Sequence, residues 1–264
     1  LADPGLVGVS TGATLAAVTV IVLGSSFLSS WTAMMGYYAL PFAAFLGGLA
    51  VTWLIYHVAS RNGRTDVSLM LLAGIAINAI AGAATGVLTY YASDEALRSL
   101  TFWTMGSLAS ATWLDVALAA VPIGLAVVLL PYFARVLNAL LMGERVGEHI
   151  GFNIKFAKRG VITLTALSVG AAVAVSGVIG FVGLVAPHLV RLLMGPDHRW
   201  LLPGSALMGA ILVVVSDSIA RVIVAPAELP IGLVFFLHFG GYTTIAGLPF
   251  LGNPLTGQVI LTRI

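Results

Sequence analysis

An all-α, polytopic transmembrane helix bundle is the fold this sequence predicts, and three observations carry the expectation. Apolar residues fill 59% of its 264 positions and charged ones only 8%, whereas a water-soluble domain carries about 25% charged residues. The apolar runs are continuous and reach the roughly 20 residues a helix needs to cross a bilayer. They lack the alternation of apolar and polar residues, in segments of about ten, that marks a transmembrane barrel. Helices and closed barrels are the two structures that pair all backbone groups internally in hydrocarbon.

The elements follow in order. No Asp, Glu, Lys or Arg lies between Asp3 and Arg61. That length allows two crossings, divided by Ser25, Ser26, Ser29, Ser30 and a turn over 36–41, and they are placed at 6–23 and 37–59. A third span covers 67–91, followed by a charged loop with Asp94, Glu95 and Arg98, and a fourth covers 113–132. The stretch 160–190 has no formal charge, and the glycines of SGVIGFVGL divide it into two helices, the second short. Spans at 201–222 and 232–250 complete a set of about eight. Small residues crowd 73–86 and 204–210, which suits ordinary close packing of helices. In 73–86 the sharper alternative is a helix that slides or tilts beside a pathway.

Seven charged residues gather in one place: Arg135, Glu144, Arg145, Glu148, Lys155, Lys158 and Arg159. Such a platform between apolar runs is where a soluble partner is expected to push. Arg and Lys decide its side, because cytoplasmic loops carry the excess. With Asp3 inside, the inside set is Arg61, Arg64, Arg135, Arg145, Lys155, Lys158, Arg159, Arg191, Arg199 and Arg263, against Arg98 and Arg221 outside. The platform is therefore expected to be cytoplasmic. The net charge of +2 comes from basic residues spread over several loops, which make no groove or stripe for nucleic acid. With no cysteine, disulfides and thiolate metal sites are excluded. Leu1 opens without the order of a signal peptide, so the true N-terminus is expected to lie upstream.

Seven segments then occur in order: LADPGLVGVSTGA (1–13), LLAGIAIN (71–78), WTMGSL (103–108), GERVGEHIGFN (143–153), SGVIGFVGLVAPHLVR (176–191), DHRWLLPGSALMGA (197–210) and APAELPIG (225–232). Together they resemble the permease subunit of type II ABC importers, the family that moves iron-siderophores, haem and vitamin B12 across the bacterial inner membrane. The wording of GIAINAIAGAATGVLTY, LRSLTFWTMGSL and DHRWLLPGSAL is most similar to the haem importers.

The resemblance implies a single transmembrane permease domain over 1–264, in a family with ten helices per subunit. The eight spans then correspond to its third to tenth helices, and the first two have no counterpart here. It also implies a second copy of the chain, two ATPase subunits on the cytoplasmic side, a periplasmic substrate-binding protein, and haem as transported substrate rather than bound cofactor. After 233 the sequence departs from the family, and LTGQVILTRI resembles the approach to the family's second helix; no role is assigned to 240–264.

By the same resemblance, 143–159 is the cytoplasmic coupling segment, with Gly143, Glu144, Arg145, Glu148 and Gly151 as the ATPase-coupling residues. A short rigid helix closed by a left-handed glycine suits that role, and Glu144 and Glu148 are spaced to share a face. Arg221 and Glu228 flank a Pro-rich turn on the outer side and are expected to dock the binding protein by charge complementarity, although an interfacial arginine can also simply snorkel. The translocation pathway is expected along 72–90 from both subunits, with Leu72, Ala76, Ala79, Ala83 and Tyr90 as its candidates. Asp217 is either a functional intramembrane acid or half of a local pair with Arg221 one turn on. His188 is a haem ligand, a gate element or a helix-junction cap. Tyr90, Tyr91, Met105 and His238 are possible transient iron ligands by chemistry, with no spacing that singles one out.

No GxxxxGK[ST] loop is present, so nucleotide must be handled by a separate chain, and no catalytic or metal site is expected. Two other classes compete. An ion-coupled secondary transporter needs polar sites at mid-membrane, for which only Asn78 and Asp217 qualify. An intramembrane enzyme needs clustered acids or histidines, and His57, His188 and His238 are scattered with no HExxH or GxSxG pattern.

Overall fold

The computed structural model describes residues 8–24, 27–61, 64–65, 67–109, 111–223, 229–235 and 237. These residues are almost wholly helical: α1 (Val9–Leu23), α2 (Ser29–Met35), α3 (Ala39–Ala59), α4 (Val67–Tyr90), α5 (Asp94–Met105), α6 (Trp113–Leu129), α7 (Ala134–Leu141), α8 (Glu144–His149), α9 (Ile154–Ser176), α10 (Val182–Met194), α11 (His198–Ile223) and α12 (Ile231–Phe235). Single 3₁₀ turns, Gly36–Tyr38 and Leu130–Phe133, join α2 to α3 and α6 to α7. A two-residue antiparallel ladder pairs Ser60 with Thr65 and Arg61 with Arg64.

Among the described residues, Ser29–Ala59, Ser68–Tyr90, Trp113–Leu141, Ile154–Ser176 and His198–Ile223 are long and apolar enough to cross a membrane. The apolar helices α1 and α10 are shorter, at 15 and 13 residues. The expected break falls where the glycines put it, with α9 ending at Ser176 and α10 starting at Val182. The expected span at 232–250 lies outside the described residues beyond the start of α12.

Three expected boundaries are corrected. The charged stretch after α4 is no loop: Ser93 caps α5 by accepting from the Ala96 N–H, and Asp94 and Glu95 occupy the first turn, where acids offset the helix dipole. The fourth span continues through the 3₁₀ turn into α7, so Arg135 rides on a helix. Helix α9 begins at Ile154 rather than 160, and its first two turns carry Lys155, Lys158 and Arg159.

Helices in lipid pack by close approach of small residues. The α1–α3 contact shows this in its tightest form, since a Cβ on Gly12 would stand 2.3 Å from the Gly47 carbonyl oxygen and one on Gly47 2.4 Å from that of Gly12. Around this crossing Ala13, Ala17 and Ala44 meet Val173 and Ala174 of α9 in one apolar centre. A second centre joins Val185 and Ala186 of α10, Leu212 of α11 and Phe235 of α12.

The long-range polar contacts sort the bundle into two ends. At one end the Arg159 side chain donates to the Tyr56 hydroxyl (3.0 Å), and α7 meets the start of α11 through Asn138. At the other, Tyr37 donates to Asp115 (2.9 Å), Ser107 N–H bonds the Ser176 carbonyl (2.9 Å) and Ile231 N–H that of Gly106 (3.1 Å). Every one of these joins segments that the charge count puts on the same side.

Candidate functional site

The platform is built on α7, α8 and the first turns of α9. Helix α8 follows Gly143 and is closed at Gly151, whose φ of 96° confirms the left-handed stop expected there. One side of α8 seats on α9: Gly147 is buried, and a Cβ there would come within 2.8 Å of Ile154 Cδ1. Glu144 forms an ion pair with Lys158, fourteen residues further along the chain on α9, and it is exposed on α8 together with Glu148. The remaining surface is open. Arg145, Glu148 and His149 are exposed there beside Met142, Val146 and Ile150, which are 62%, 41% and 57% exposed. Apolar side chains ringed by charge, outside the spanning helices, are the composition of a protein docking surface. Gly147 and the three apolar residues escaped notice in the sequence; their spacing of three to four residues across a charged segment was the available signal.

Asn138 links this platform to α11. Its amide nitrogen donates to Asp197 Oδ1 (2.6 Å), and its Oδ1 accepts from the His198 backbone N–H (2.9 Å) and lies 2.7 Å from His198 Nδ1. A carboxylate can only accept and a backbone N–H can only donate, which fixes the carboxamide's orientation and places the imidazole proton on Nδ1. The N–H of Arg199 (3.0 Å) and the Asn138 amide hold the Asp197 carboxyl below its ordinary range.

At the opposite end, Arg221 pairs with Asp217 through Nε (2.8 Å), and its Nη2 reaches the Leu108 carbonyl (3.3 Å). The local-pair reading of Asp217 is thus the one the structure supports. The Arg221 side chain is still 47% exposed. Glu228 lies outside the described residues, as does His238. Close by, three segments quoted for the resemblance converge: Gly177 has φ 68°, and a Cβ on it would be 2.2 Å from the Trp103 carbonyl oxygen, while one on Gly232 would be 2.6 Å from that of Met105.

The candidate pathway residues fall on one stripe. Leu72, Ala76, Ala79, Ala83 and Tyr90 are all exposed along α4, with Gly86 between the last two. Among the described residues nothing lies within 4 Å of a Cβ built on Gly82 or Gly86. Their spacing follows the helical repeat, so α4 presents a smooth, largely small-residue face to whatever lies beside it. His188 is exposed midway along α10, away from a helix junction. A half-open cavity of about 460 Å³ lies between α3, α6 and α9, lined by apolar residues among them Phe42, Phe45, Leu118 and Pro122. Among the described residues no group of His, Asp or Glu could hold a metal ion.

The profile of the FecCD transport family matches residues 1–246. The hemin transport system permease protein HmuU of Yersinia pestis is 47% identical over 242 residues, covering 92% of this chain and 71% of that one. The vitamin B12 import system permease protein BtuC of Vibrio cholerae is 41% identical, covering 94% and 70%. The cobalamin import system permease protein BtuC of Halobacterium salinarum is 38% identical, covering 95% of this chain but only 62% of its own length. A solved metal-chelate type ABC transporter in an inward-facing conformation superposes with a TM-score of 0.82 at 29% identity, over 93% of this chain and 75% of that one. The chain belongs to the FecCD transport family and is a membrane-spanning permease.

Proposed function

We propose that this permease passes haem from a periplasmic binding protein to the cytoplasm of a bacterium, across the inner membrane, with ATP hydrolysed by a separate subunit. The observation that carries the substrate is the 47% identity to a hemin permease, against 41% and 38% to two permeases for B12 and cobalamin. What supports the motor is the open platform of Arg145, Val146, Glu148 and Ile150 on α8, a charged and apolar surface with no place inside a bilayer. Two ATPase subunits would grip it, one on each copy of a homodimer, with 143–159 as the coupling segment. Arg221 would meet the binding protein at the far end. The exposed stripe of α4 would face its symmetry mate across the passage, where small side chains leave room for a bulky planar cargo and offer few strong axial ligands.

Coupling then works by population shift. ATP moves the helices only insofar as the nucleotide-closed ATPase binds one permease conformation better than the other; reversing a 1:99 balance takes about 5.5 kcal/mol of such preference.

The deciding experiment is ATP hydrolysis by the complex reconstituted with its cognate ATPase and binding protein, comparing haem, a ferric siderophore and cobalamin. Stimulation by haem alone is the expected result. Equal stimulation by all three removes the haem assignment, and cargo movement without the ATPase removes the importer.

A further inference from the structure

Asn138 is not part of the surface that α8 offers to a partner. It sits on α7, a turn before the platform helix, and every hydrogen bond described for its side chain goes to Asp197 and His198, about sixty residues away in sequence at the start of α11. Helix α8 is otherwise tied by its own chain neighbours, through the link to α7 and through the Glu144–Lys158 pair to α9. The contact to α11 is of another kind. It joins the platform to a helix of 26 residues, about 39 Å long at 1.5 Å per residue, whose far end carries the Asp217–Arg221 pair.

Asp197 does not need Asn138 to cap α11, because the same Oδ1 also accepts the Arg199 N–H. What the carboxamide adds is a directional clamp of three polar contacts between α7 and α11. A single side chain that donates to a carboxylate and accepts from the adjoining backbone fixes both the distance and the rotation of one helix against the other.

We infer that Asn138 is a positioning residue that transmits displacement of α8 to α11, and so couples the platform to the Arg221 end of the permease. The inference rests on the importer reading above. By linkage the affinities are coupled both ways: occupancy at the Arg221 end alters how tightly the platform holds its motor, and stimulation of ATP hydrolysis by the loaded binding protein is the kinetic readout of the same contact.

The test uses the whole complex in nanodiscs, permease with cognate ATPase, with and without haem-loaded binding protein. Asn138→Leu removes the clamp, and Asn138→Asp sets two carboxylates against each other. The exchange Asn138→Asp with Asp197→Asn restores the link between α7 and α11, since the carboxylate then accepts from the amide and from the His198 N–H, while the amide nitrogen replaces the oxygen that accepts the Arg199 N–H. Both single variants are expected to assemble with the ATPase and to keep basal hydrolysis within about twofold. Their stimulation by the binding protein should drop about fivefold or more, the lower end of ordinary allosteric coupling, and the exchange should recover part of it. Full stimulation in Asn138→Leu overturns the inference, as does failure of the exchange to restore it. Basal and stimulated rates falling in parallel with the unfolding temperature also overturns it, because that is the signature of a merely structural contact. A wild-type complex that neither assembles nor hydrolyses ATP refutes the importer reading instead, and the inference falls with it.

Discussion

The hydroxyl of Tyr37 donates to the carboxylate of Asp115 at 2.9 Å, joining the entrance of α3 to the entrance of α6. Asp115 is buried to 3% exposure, and its Oδ2 also accepts from the Thr112 backbone N–H (2.9 Å) and hydroxyl (2.7 Å) in a reciprocal cap. Tyr37→Phe removes one donor and leaves the cap. Hydrogen bonds between membrane helices average about 0.6 kcal/mol, and those to charged groups reach about 1.5–3 kcal/mol. A loss of about 1 kcal/mol is therefore expected for Tyr37→Phe, and about 2 kcal/mol for Asp115→Ala, which also forfeits the cap. Thermal unfolding in detergent checks both, and equal losses would show that the phenol carries the whole effect.

The Glu144–Lys158 pair changes what a charge reversal on α8 should do. Glu144→Lys is expected to tilt α8 and weaken ATPase capture on the order of tenfold, the equivalent of about 1.4 kcal/mol. Adding Lys158→Glu should restore it. Glu148 has no such intramolecular partner described, so Glu148→Lys should stay weak in the Lys158→Glu background. Co-purification with the ATPase at graded salt reads the result. Glu144→Lys should also lower stability, because the Lys158 side chain is only 14% exposed and loses its partner, and the double variant should recover it.

At the far end, Arg221→Glu is expected to slow association of the binding protein and flatten its salt dependence, the usual effect of removing a rim charge. Surface plasmon resonance over a range of ionic strength would show it. Unchanged association rates at low salt would reject Arg221 as a docking residue.

Glycines separate into two groups by what surrounds them. Gly177→Ala puts a methyl 2.2 Å from the Trp103 carbonyl oxygen at φ 68° and is expected to destabilise the fold by more than the roughly 1–2 kcal/mol of left-handed strain alone. A Cβ on Gly86 meets nothing within 4 Å among the described residues, so Gly86→Leu is the contrasting case. It should leave unfolding of the single subunit unchanged yet block transport or pairing of two copies, which uptake assays and crosslinking would detect. Normal uptake by Gly86→Leu would remove α4 from the passage.

The membrane helices were legible in the sequence because lipid demands long uninterrupted apolar runs, and the break at SGVIGFVGL because clustered glycines stand out there. Boundaries slipped where helices outrun their apolar stretch: Lys155, Lys158 and Arg159 are charged, yet α9 includes them, since the Asn153 side chain caps it by accepting from the Phe156 N–H. The Asp217–Arg221 pair was readable because its partners are four residues apart on one helix. Asn138 was not. Its partners lie sixty residues away, and no periodicity or composition signals a single carboxamide that bridges two helices. Gly147 was hidden for the opposite reason, as one glycine among 30.

The two separate apolar centres, one among α1, α3 and α9 and the other among α10, α11 and α12, bear on how such a bundle deforms. A body with one heart must melt it to change shape. A relative tilt of the two helix groups would leave the contacts inside each centre in place, while the Ile231–Gly106 hydrogen bond between α12 and the end of α5 would have to follow it.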